Sequence, residues 1–454
     1  PEKFLYEVIP GVKKQFDTVS YLLNREDVDT IYICTDSGRE GEYIYRLVEQ
    51  QAGVKGKNRR RVWIDSQTEE EILRGIKEAK NLNEYDNLAA SAYLRAKEDY
   101  LMGINFSRLL TLKYGNSISN YLNTKYSVVS VGRVMTCVLG MVVIREREIR
   151  NFKETPFYRV VGNFTDAHVQ GEWKAVEGSG YFASPLLYKE NGFKKQESAE
   201  SLITELSGKT AVVSSIERGT SRKKAPLLFN LAELQAECSK RFKISPDETL
   251  QVAQDLYEKK LTTYPRTDAR VLSTAVAKEI GKNISRLKGY EPVQGYVERI
   301  MKEGLHYNIA KTQYTDDSKI TDHYAIIPTG QGLNNLRNLS ELSAKVYETI
   351  VRRFLGIFYP PAVYQKVALV TEIGGEQFFS NFRVLVQEGY LKAMQYSFFR
   401  KKEEDDEGRK EDETTCDPSF LAALSQLQKG SELNLLDLSI KEGETSPPKR
   451  YTSG

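Results

Sequence analysis

Cysteine and histidine are scarce in this chain, which argues against several kinds of site. The 454 residues include 4 cysteines and 3 histidines. Successive cysteines lie about a hundred residues or more apart, so none has the short spacing typical of a zinc site. We interpret Cys34, Cys137, Cys238 and Cys416 as reduced, buried thiols of a cytoplasmic protein.

Long apolar runs and a large net charge are also missing. The longest apolar stretch runs roughly from Val134 to Ile144 and is far short of the ~20 residues that cross a membrane. We find no signal-peptide pattern and no Gly-x-x-x-x-Gly-Lys-[Ser/Thr] loop, so neither a membrane protein nor a nucleotide cofactor is predicted. A formal charge of +3 does not by itself indicate nucleic-acid binding, which depends on where Lys and Arg cluster.

The remaining composition is that of a globular protein with several domains. Hydrophobic residues make up 40% and charged residues 28%, and the length suggests about three domains. Helical periodicity is clearest at 89–104, at 131–149 and after Leu228, whereas short β-type runs fill 157–216 and 363–386. The run 401–413 is almost entirely charged and predicts a solvated loop or a disordered insert.

Two helix ends are marked in the sequence. Gly53 predicts the stop of a helix over 40–51. Ser245, followed by Pro246 and then Glu248, predicts a capped helix start. That second helix is expected to end near Lys260, just before the tyrosine considered next.

The string Thr-Tyr-Pro-Arg-Thr-Asp at 263–268 is the first cluster with chemical potential. Pro265 favours an extended backbone at Tyr264, so Tyr264 and Arg266 are expected to point roughly the same way. A tyrosine that attacks a phosphodiester needs a nearby cation, because its free pKa is ~10 and the phosphorus gains negative charge. On these six residues alone, a surface loop with a half-buried tyrosine is the better explanation.

An acidic cluster follows the first predicted strand. Residues 29–35 predict a buried strand that delivers Asp36 to its carboxyl end, where α/β proteins bind ligands. Asp36 and Glu40 offer the oxygen ligands that magnesium prefers, and Arg39 is placed to hold a phosphate. An N-capping Asp in an acidic first turn explains the same residues about equally well.

Arginines and one histidine add further candidates. Arg95 lies on one predicted helix and Arg108 in the string that ends it, and Arg133 lies in the string that opens another. Such groups hold phosphates without reading bases. Lys55–Arg61 is a basic run. Each of these alone is explained by a solvated face, and a lone histidine such as His323 is more often structural than catalytic.

Taken together, the clusters resemble the type IA DNA topoisomerases in order and in sequence, most closely the bacterial topoisomerase III branch. The acidic cluster resembles the Toprim motif of that family, and the Tyr264 cluster resembles its cleavage motif. Further strings that match in the expected order are YLRAKEDYLMGINFSRLLT, SVGRVMTCVLGMVVIREREI, APLLFNLAELQAECSKRF, KITDHYAIIPT, VYETIVRRFLGIFYPPA and PPKRYT. The resemblance covers nearly the whole chain.

The resemblance implies a multidomain α/β and α+β fold in a toroidal arrangement. The implied parts are a partial Toprim domain (1–68), a helical DNA-holding domain (69–152), a β-rich arch (153–225), a helical tyrosine domain (226–353), the second part of the arch (354–446) and the start of a return to the helical domain (447–454).

The resemblance also implies an activity: transient cleavage of one DNA strand through a 5′-phosphotyrosine at Tyr264, strand passage and religation without ATP. The implied catalytic residues are Tyr264, Arg266, Glu40 and His323, with Asp36 and Glu40 holding Mg²⁺. The implied DNA contacts are Arg39, Arg95, Asp99, Arg108, Ser130, Arg133, Thr136 and Arg450. The implied partner is single-stranded or underwound DNA, bound by a monomer on the bacterial nucleoid, with a helicase as a further partner.

Three departures from the family pattern shape these expectations. Position 38 is Gly where the Toprim motif commonly has Asp, and Met135 stands where the helix near the DNA commonly has Gln. Only 35 residues precede Asp36, and the first strand of the family, with its Lys and Glu, has no match among them. We therefore expect the chain by itself to bind single-stranded DNA with little or no relaxation activity.

Two other function classes stay open at this point. One is a DNA-binding module without catalysis. The other is a Toprim nuclease or primase, which explains Asp36 and Glu40 but leaves the Tyr264 cluster unexplained. Only the topoisomerase hypothesis predicts a phosphotyrosine adduct at Tyr264.

Overall fold

The computed structural model describes residues 4–64, 69–164, 169–398, 413–415, 422 and 424–452. The predicted charged loop lies outside these residues except at its last position, and Cys416 lies outside them too. The chain divides into two compact units. Unit 1 comprises 1–144, 227–351 and 452–454, and unit 2 comprises 145–226 and 352–451.

The described residues form helices and strands throughout both units. The α-helices are α1 Lys13–Asn24, α2 Arg39–Ala52, α3 Glu69–Lys77, α4 Asp86–Leu122, α5 Arg133–Asn151, α6 Gln196–Leu206, α7 Leu231–Phe242, α8 Pro246–Glu258, α9 Thr274–Arg286, α10 Gln294–Glu303 and α11 Glu341–Gly356. The strands are β1 Thr30–Ile33, β2 Asn58–Arg61, β3 Lys80–Asn81, β4 Pro156–Phe164, β5 Val169–Lys174, β6 Leu187–Lys189, β7 Gly192–Phe193, β8 Ala211–Lys223, β9 Ala362–Ile373, β10 Glu376–Gln387, β11 Glu413–Thr415, β12 Glu432–Leu433 and β13 Leu435–Glu444. No described helix is long and apolar enough to cross a membrane.

A small sheet in unit 1 carries the predicted acidic cluster. β1 pairs in parallel with β2, which pairs antiparallel with β3. Ile31 and Ile33 alternate with exposed residues along β1 and pack with Tyr45 of α2 and with Leu82. The predicted strand and helix are therefore confirmed, and Gly53 ends α2 in the left-handed conformation at φ +63°.

The tyrosine-bearing part of unit 1 begins from a well-capped helix. Ser245 Oγ accepts from the backbone N of Glu248 at 3.2 Å, and Glu248 Oε2 accepts from the backbone N of Ser245 at 2.8 Å. This reciprocal capping box fixes the start of α8, as predicted. The helix ends at Glu258, and Lys260 takes a left-handed φ of +63° that turns the chain towards Tyr264.

Unit 2 is built on a large, mostly antiparallel sheet. Within the described residues the strand order is β12-β8-β9-β10-β5-β4-β7-β6, with β11 beside β10 and β13 beside β4. The fully buried Trp173 stacks on Phe193, with ring centroids 4.8 Å apart, in the core of this unit. Buried Glu376 accepts a hydrogen bond from Trp173 Nε1 at 2.7 Å, so the indole N–H is satisfied inside the core.

Two predictions from the sequence are wrong. The β-type stretch 157–216 contains α6, whose Ala199, Leu202 and Leu206 are fully buried. Their spacing of three and four positions places them on one helical face, a signal hidden among the surrounding strand-like runs. The thiols of Cys34 and Cys137 are exposed, and Cys238 alone of the three described cysteines is buried.

Candidate active site

A cavity of about 510 Å³ in unit 1 brings together three segments that are distant in the sequence. The residues around it that matter for chemistry are Thr35, Asp36 and Ser37 after β1, Tyr257 and Lys260 at the end of α8, Thr263 and Tyr264 beyond it, and Asp322, His323 and Tyr324. A cavity with several polar and titratable groups is the default location for an active site.

Tyr264 is half-buried in this cavity and stands against two aromatic rings. Its ring centroid lies 4.6 Å from that of His323 in a tilted arrangement. It lies 5.3 Å from the Tyr257 ring in an edge-to-face arrangement. The phenol is thus held by ring contacts while its cavity side stays open.

Hydrogen bonds join the Tyr264 segment to the His323 segment. Thr263 Oγ1 donates to Ala325 O at 3.0 Å and accepts from Ile327 N at 2.9 Å. Thr267 Oγ1 donates to His323 O at 2.8 Å. These bonds flank Tyr264 on both sides, so the tyrosine and the histidine are positioned by one shared backbone network.

The Asp36 turn is held tightly against the start of α2. Thr35 Oγ1 donates to Gly41 O at 2.7 Å, and Ser37 Oγ accepts from Ile64 N at 2.9 Å. A Cβ atom added to Gly41 would lie 2.0 Å from Asp36 O. Glycine at position 41 is therefore required for the close approach of α2 to the Asp36 backbone.

The buried side chain of Arg61 donates hydrogen bonds to the backbone of this turn. The Arg61 guanidinium has no solvent exposure and donates to the carbonyls of Ile33, Thr35, Asp36 and Val62. Its Nε also donates to Glu42 Oε2 at 3.0 Å. The solvated face that explains the basic run Lys55–Arg61 is therefore wrong at Arg61. Two other cations of the run are also engaged within the protein, Lys57 with backbone carbonyls and Arg59 with Glu49.

Two other predicted catalytic residues, Glu40 and Arg266, and the predicted DNA contact Arg39 do not line the cavity. Arg39 and Glu40 are exposed on the first turn of α2, and Arg266 is exposed two residues after Tyr264. Among the described residues, Arg266 makes no ion pair and does not line the cavity. The roles predicted for Glu40 and Arg266 stay predictions.

Six of the predicted DNA-contacting residues of unit 1 lie on or next to two helices. Arg95, Asp99 and Arg108 are exposed on α4, and Ser130, Arg133 and Thr136 lie before or in the first turn of α5. Arg133 Nε donates to Asp99 Oδ1 at 3.0 Å, which brings two of them into contact. This pairing also raises the pKa of Arg133.

In unit 2, the predicted DNA contact Arg450 is an exposed residue. Its guanidinium donates to both oxygens of the Glu146 carboxylate, an arrangement that lowers the pKa of Glu146. Bidentate pairs of this kind recognise phosphate as well as carboxylate.

Two cavity residues were not predicted from the sequence. Asp322 immediately precedes His323 in the string matched to the family, and that adjacency was the available signal. Tyr257, on α8, carried no comparable signal. Burial raises the pKa of Tyr324, a third residue of the cavity wall, to about 12, so its phenol stays protonated at neutral pH.

Comparison with known proteins identifies the family of this chain. A family model described as DNA topoisomerase matches residues 83–454. The chain belongs to the DNA topoisomerase family. The resemblance to type IA topoisomerases that the sequence motifs indicated is thereby confirmed.

Two curated relatives are named DNA topoisomerase 3. DNA topoisomerase 3 of Bacillus subtilis (strain 168) is 36% identical over 457 residues, covering 100% of this chain and 57% of the relative. DNA topoisomerase 3 of Bacillus licheniformis is 35% identical over 462 residues, with the same coverage of both chains. The chain thus spans a little over half the length of these curated relatives.

A solved structure has the same fold. Full-length topoisomerase I from Thermotoga maritima matches with a TM-score of 0.64 at 21% identity, covering 98% of this chain and 64% of that chain. The expected fold class, mixed α/β with helices and a β-rich part, is confirmed by this match and by the large sheet of unit 2.

Proposed function

We propose that this chain carries the strand-cleaving site of a type IA DNA topoisomerase, with Tyr264 as the nucleophile. The observation that supports this most directly is the position of Tyr264, half-buried beside His323 in a cavity that Asp36 also lines. A tyrosine serving only as core packing has no need of a titratable neighbour and an open polar cavity.

The proposed reaction is a reversible transesterification. Tyr264 Oη attacks the phosphorus of a single-stranded phosphodiester and gives up its proton. The bond between phosphorus and the 3′-oxygen breaks, leaving a 5′-phosphotyrosine, and the 3′-oxygen takes up a proton as it leaves. The 3′-hydroxyl later attacks the phosphotyrosine and restores both starting groups, so no ATP is consumed.

The residues around Tyr264 have distinct proposed roles. His323 is the nearest titratable group whose ring contacts Tyr264, and its N–H can hydrogen-bond a phosphate oxygen in the cavity. Arg266 would offset charge on the phosphate from the solvent side. Glu40 would move a proton near the leaving oxygen. Arg39, Arg95, Arg108, Arg133 and Arg450 would hold the DNA backbone.

The oxygen-rich lining of the cavity fits magnesium. Among the described residues no group of three or more His, Cys, Asp or Glu side chains is close enough to hold a metal. Magnesium nevertheless binds commonly through one or two carboxylates, substrate phosphates and waters. Asp36 on the cavity wall and Glu40 on α2 are the proposed protein ligands. When bound, the ion would supply positive charge at the phosphate oxygens.

The activity of the whole protein is proposed from its relatives. We propose relaxation or decatenation of single-stranded or underwound DNA, by a monomer acting with a helicase in the bacterial nucleoid. The domain division given by the family resemblance is kept as part of this proposal. A DNA-binding module without catalysis, or a Toprim nuclease or primase, would share the Asp36 turn but would not use Tyr264.

The decisive experiment is a covalent-adduct assay. The purified chain is incubated with a 5′-labelled and, separately, a 3′-labelled single-stranded oligonucleotide, with and without magnesium, and then denatured. Tyr264→Phe removes only the hydroxyl, and Tyr257→Phe is the matched control because Tyr257 lines the same cavity and contacts Tyr264. We expect a protein-linked 5′-phosphoryl end, so that the 3′-labelled fragment is retained, in wild type and Tyr257→Phe but not in Tyr264→Phe.

Other outcomes identify the alternatives. An adduct that persists in Tyr264→Phe would overturn the assignment of the nucleophile. DNA binding without any adduct would support a non-catalytic DNA-binding module. Cleaved DNA with no protein attached would support a nuclease.

A further inference from the structure

We propose that Tyr257 is a positioning residue for the nucleophile, and that its ring, rather than its hydroxyl, keeps Tyr264 turned towards the cavity. This inference rests on the proposed function and deepens it. It gives a role to a residue of the cavity wall that the sequence did not single out.

The first observation is that Tyr257 lies outside the core-facing side of its helix. The buried residues of α8 are Thr249, Ala253 and Leu256. Tyr257, in contrast, is 37% exposed and lines the cavity. Neighbouring positions are about 100° apart around a helix, so the Tyr257 ring does not belong to the apolar face through which α8 packs.

The second observation is the contact between the two phenol rings. The ring centroids of Tyr257 and Tyr264 lie 5.3 Å apart at an interplanar angle of 74°, an edge-to-face geometry that aromatic pairs favour. The Tyr257 hydroxyl has no hydrogen-bond partner within the described part of the chain. The ring is therefore the part of Tyr257 that acts on Tyr264.

The third observation is the turn that joins the two tyrosines. Lys260 N donates to Tyr257 O at 2.8 Å, and Leu261 N donates to Leu256 O at 2.9 Å. With Lys260 at φ +63°, these two bonds form a Schellman motif. The side chains of Leu256 and Leu261 are both fully buried, as is usual for the apolar contact of this motif. The turn therefore fixes where the chain leaves α8 on its way to Tyr264.

His323 contacts the same ring from a different segment. Its ring centroid lies 4.6 Å from that of Tyr264 at an interplanar angle of 53°. Tyr264 is thus in contact with one ring from α8 and one from the segment 323–327. A side chain that touches two rings has fewer rotamers open to it than a free one. The Tyr264 hydroxyl is therefore presented to the cavity in a narrower range of directions.

The first test reads the position of the ring at residue 264 without DNA. In the full chain, 4-trifluoromethylphenylalanine replaces Tyr264, and the fluorine NMR spectrum is recorded. The three fluorine atoms are equivalent, so one side-chain position gives one signal. We expect one narrow signal when residue 257 is unchanged and in Tyr257→Phe. Tyr257→Leu keeps a good helix former but lacks the ring, and we expect a second or broadened signal.

The second test separates the chemical step from DNA binding. The rate of adduct formation is measured at saturating single-stranded oligonucleotide, and the dissociation constant is measured by fluorescence anisotropy. In Tyr257→Leu the rate should fall about 2- to 12-fold, because an edge-to-face pair contributes ~0.5–1.5 kcal/mol and ~1.4 kcal/mol is tenfold. The dissociation constant should not change, and Tyr257→Phe should keep the wild-type rate. Tyr307→Leu, which removes an exposed tyrosine away from the cavity wall, is the matched control.

The proposal is overturned by a single narrow fluorine signal in Tyr257→Leu, by an unchanged rate in that variant, or by a reduced rate in Tyr257→Phe. A larger dissociation constant with an unchanged rate would make Tyr257 a DNA contact instead. If wild type forms the adduct no faster than Tyr257→Leu, the positioning role is wrong and the proposed function stands. If wild type forms no adduct, the proposed function is wrong, and the fluorine signal alone decides whether Tyr257 positions residue 264.

Discussion

Arg61 and Glu42 form an ion pair in which neither side chain has any solvent exposure, with Nε and Oε2 3.0 Å apart. The other Glu42 oxygen accepts from Arg46 Nε at 2.9 Å. The remaining Arg61 donors reach the backbone carbonyls at the end of β1 and in the Asp36 turn. The buried Glu42 carboxylate is therefore paired through both of its oxygens. The Arg61 guanidinium also holds the turn that carries Asp36.

Substitution of Arg61 should lower the free energy of unfolding. Arg61→Met leaves buried carbonyls without donors and takes one partner from a buried carboxylate, so we expect the free energy of unfolding to fall by about 3–5 kcal/mol. Urea unfolding followed by circular dichroism measures this. Arg60→Met is the control, because the Arg60 side chain makes no hydrogen bond or ion pair among the described residues. A loss below about 1 kcal/mol in Arg61→Met would contradict the expectation.

Gly41→Ala should be destabilising, whereas Gly38→Ala should be tolerated. In Gly41→Ala the new Cβ would meet Asp36 O at 2.0 Å, so the Asp36 turn must move. We expect a loss of about 1–3 kcal/mol in unfolding free energy and loss of the Tyr264 adduct. Gly38→Ala meets its nearest atom at 3.8 Å and should keep both close to wild type. Equal behaviour of the two variants would show that the close contact does not matter.

The free energy of unfolding should fall as pH rises in the alkaline range, partly because of Cys238. Burial, and then the neighbouring Glu237, raise the pKa of this thiol from 9.0 to about 12. The folded state keeps the thiol protonated, whereas the unfolded chain loses the proton above pH ~9. The stabilisation that comes from this pKa difference is therefore complete below pH ~9 and is lost as pH rises towards 12. Unfolding free energy measured at pH 8 and 10.5 should fall less in Cys238→Ala than in wild type. Parallel declines in the two proteins would refute this.

The helix missed in unit 2 offers a stability test. Leu202 of α6 is fully buried, and Leu202→Ala should lower the free energy of unfolding by about 2–5 kcal/mol. Thr204→Ala on the exposed side of the same helix should change it by about 0.5 kcal/mol or less. If residues 196–206 formed an edge strand instead, this contrast between positions 202 and 204 would be absent, since both would lie on one face.

Arg133 and Asp99 should have opposite effects on DNA affinity. Arg133→Ala removes a proposed phosphate contact, so binding of single-stranded oligonucleotides should weaken to a similar degree for all sequences. The slope of log K against log salt should shrink by about 0.7. Asp99→Asn frees the guanidinium and should tighten binding. Fluorescence anisotropy at several salt concentrations measures both, with Arg299→Ala on α10 as the control.

An unchanged affinity in Arg133→Ala would remove that residue from the proposed DNA surface. A weaker affinity in Asp99→Asn would show that Asp99 serves mainly to orient Arg133. Either result would leave the Tyr264 assignment untouched, since the adduct assay reports on a separate step.

The sequence predicted the local features of unit 1 well because they depend on near neighbours. The strand before Asp36, the helix stop at Gly53 and the capping box at Ser245 are each specified by a few consecutive residues. The family assignment rested on longer strings and is confirmed. The roles of Tyr264, His323 and Asp36 were predicted from those strings and stay predictions.

Features that depend on distant contacts were missed. Arg61 looks like any other member of a basic run, and only the packing of β2 against β1 shows that its guanidinium is buried. Asp322 Oδ2 lies 3.8 Å from where a Cβ on Gly38 would stand, a contact between segments that nothing in either local sequence encodes. The helix α6 was overlooked because its period-four signal is short and lies between strand-like runs.

The hydrogen bonds from Thr263 and Thr267 to the segment 323–327 connect the chain on both sides of Tyr264 to the segment that carries His323. In the proposed reaction, a DNA end joined to Tyr264 would therefore stay beside the segment that carries His323. At religation the His323 imidazole would already lie beside the phosphotyrosine. The 5′-phosphoryl end and His323 would keep their relative positions. Religation would then require only that the free 3′-hydroxyl return to the phosphotyrosine.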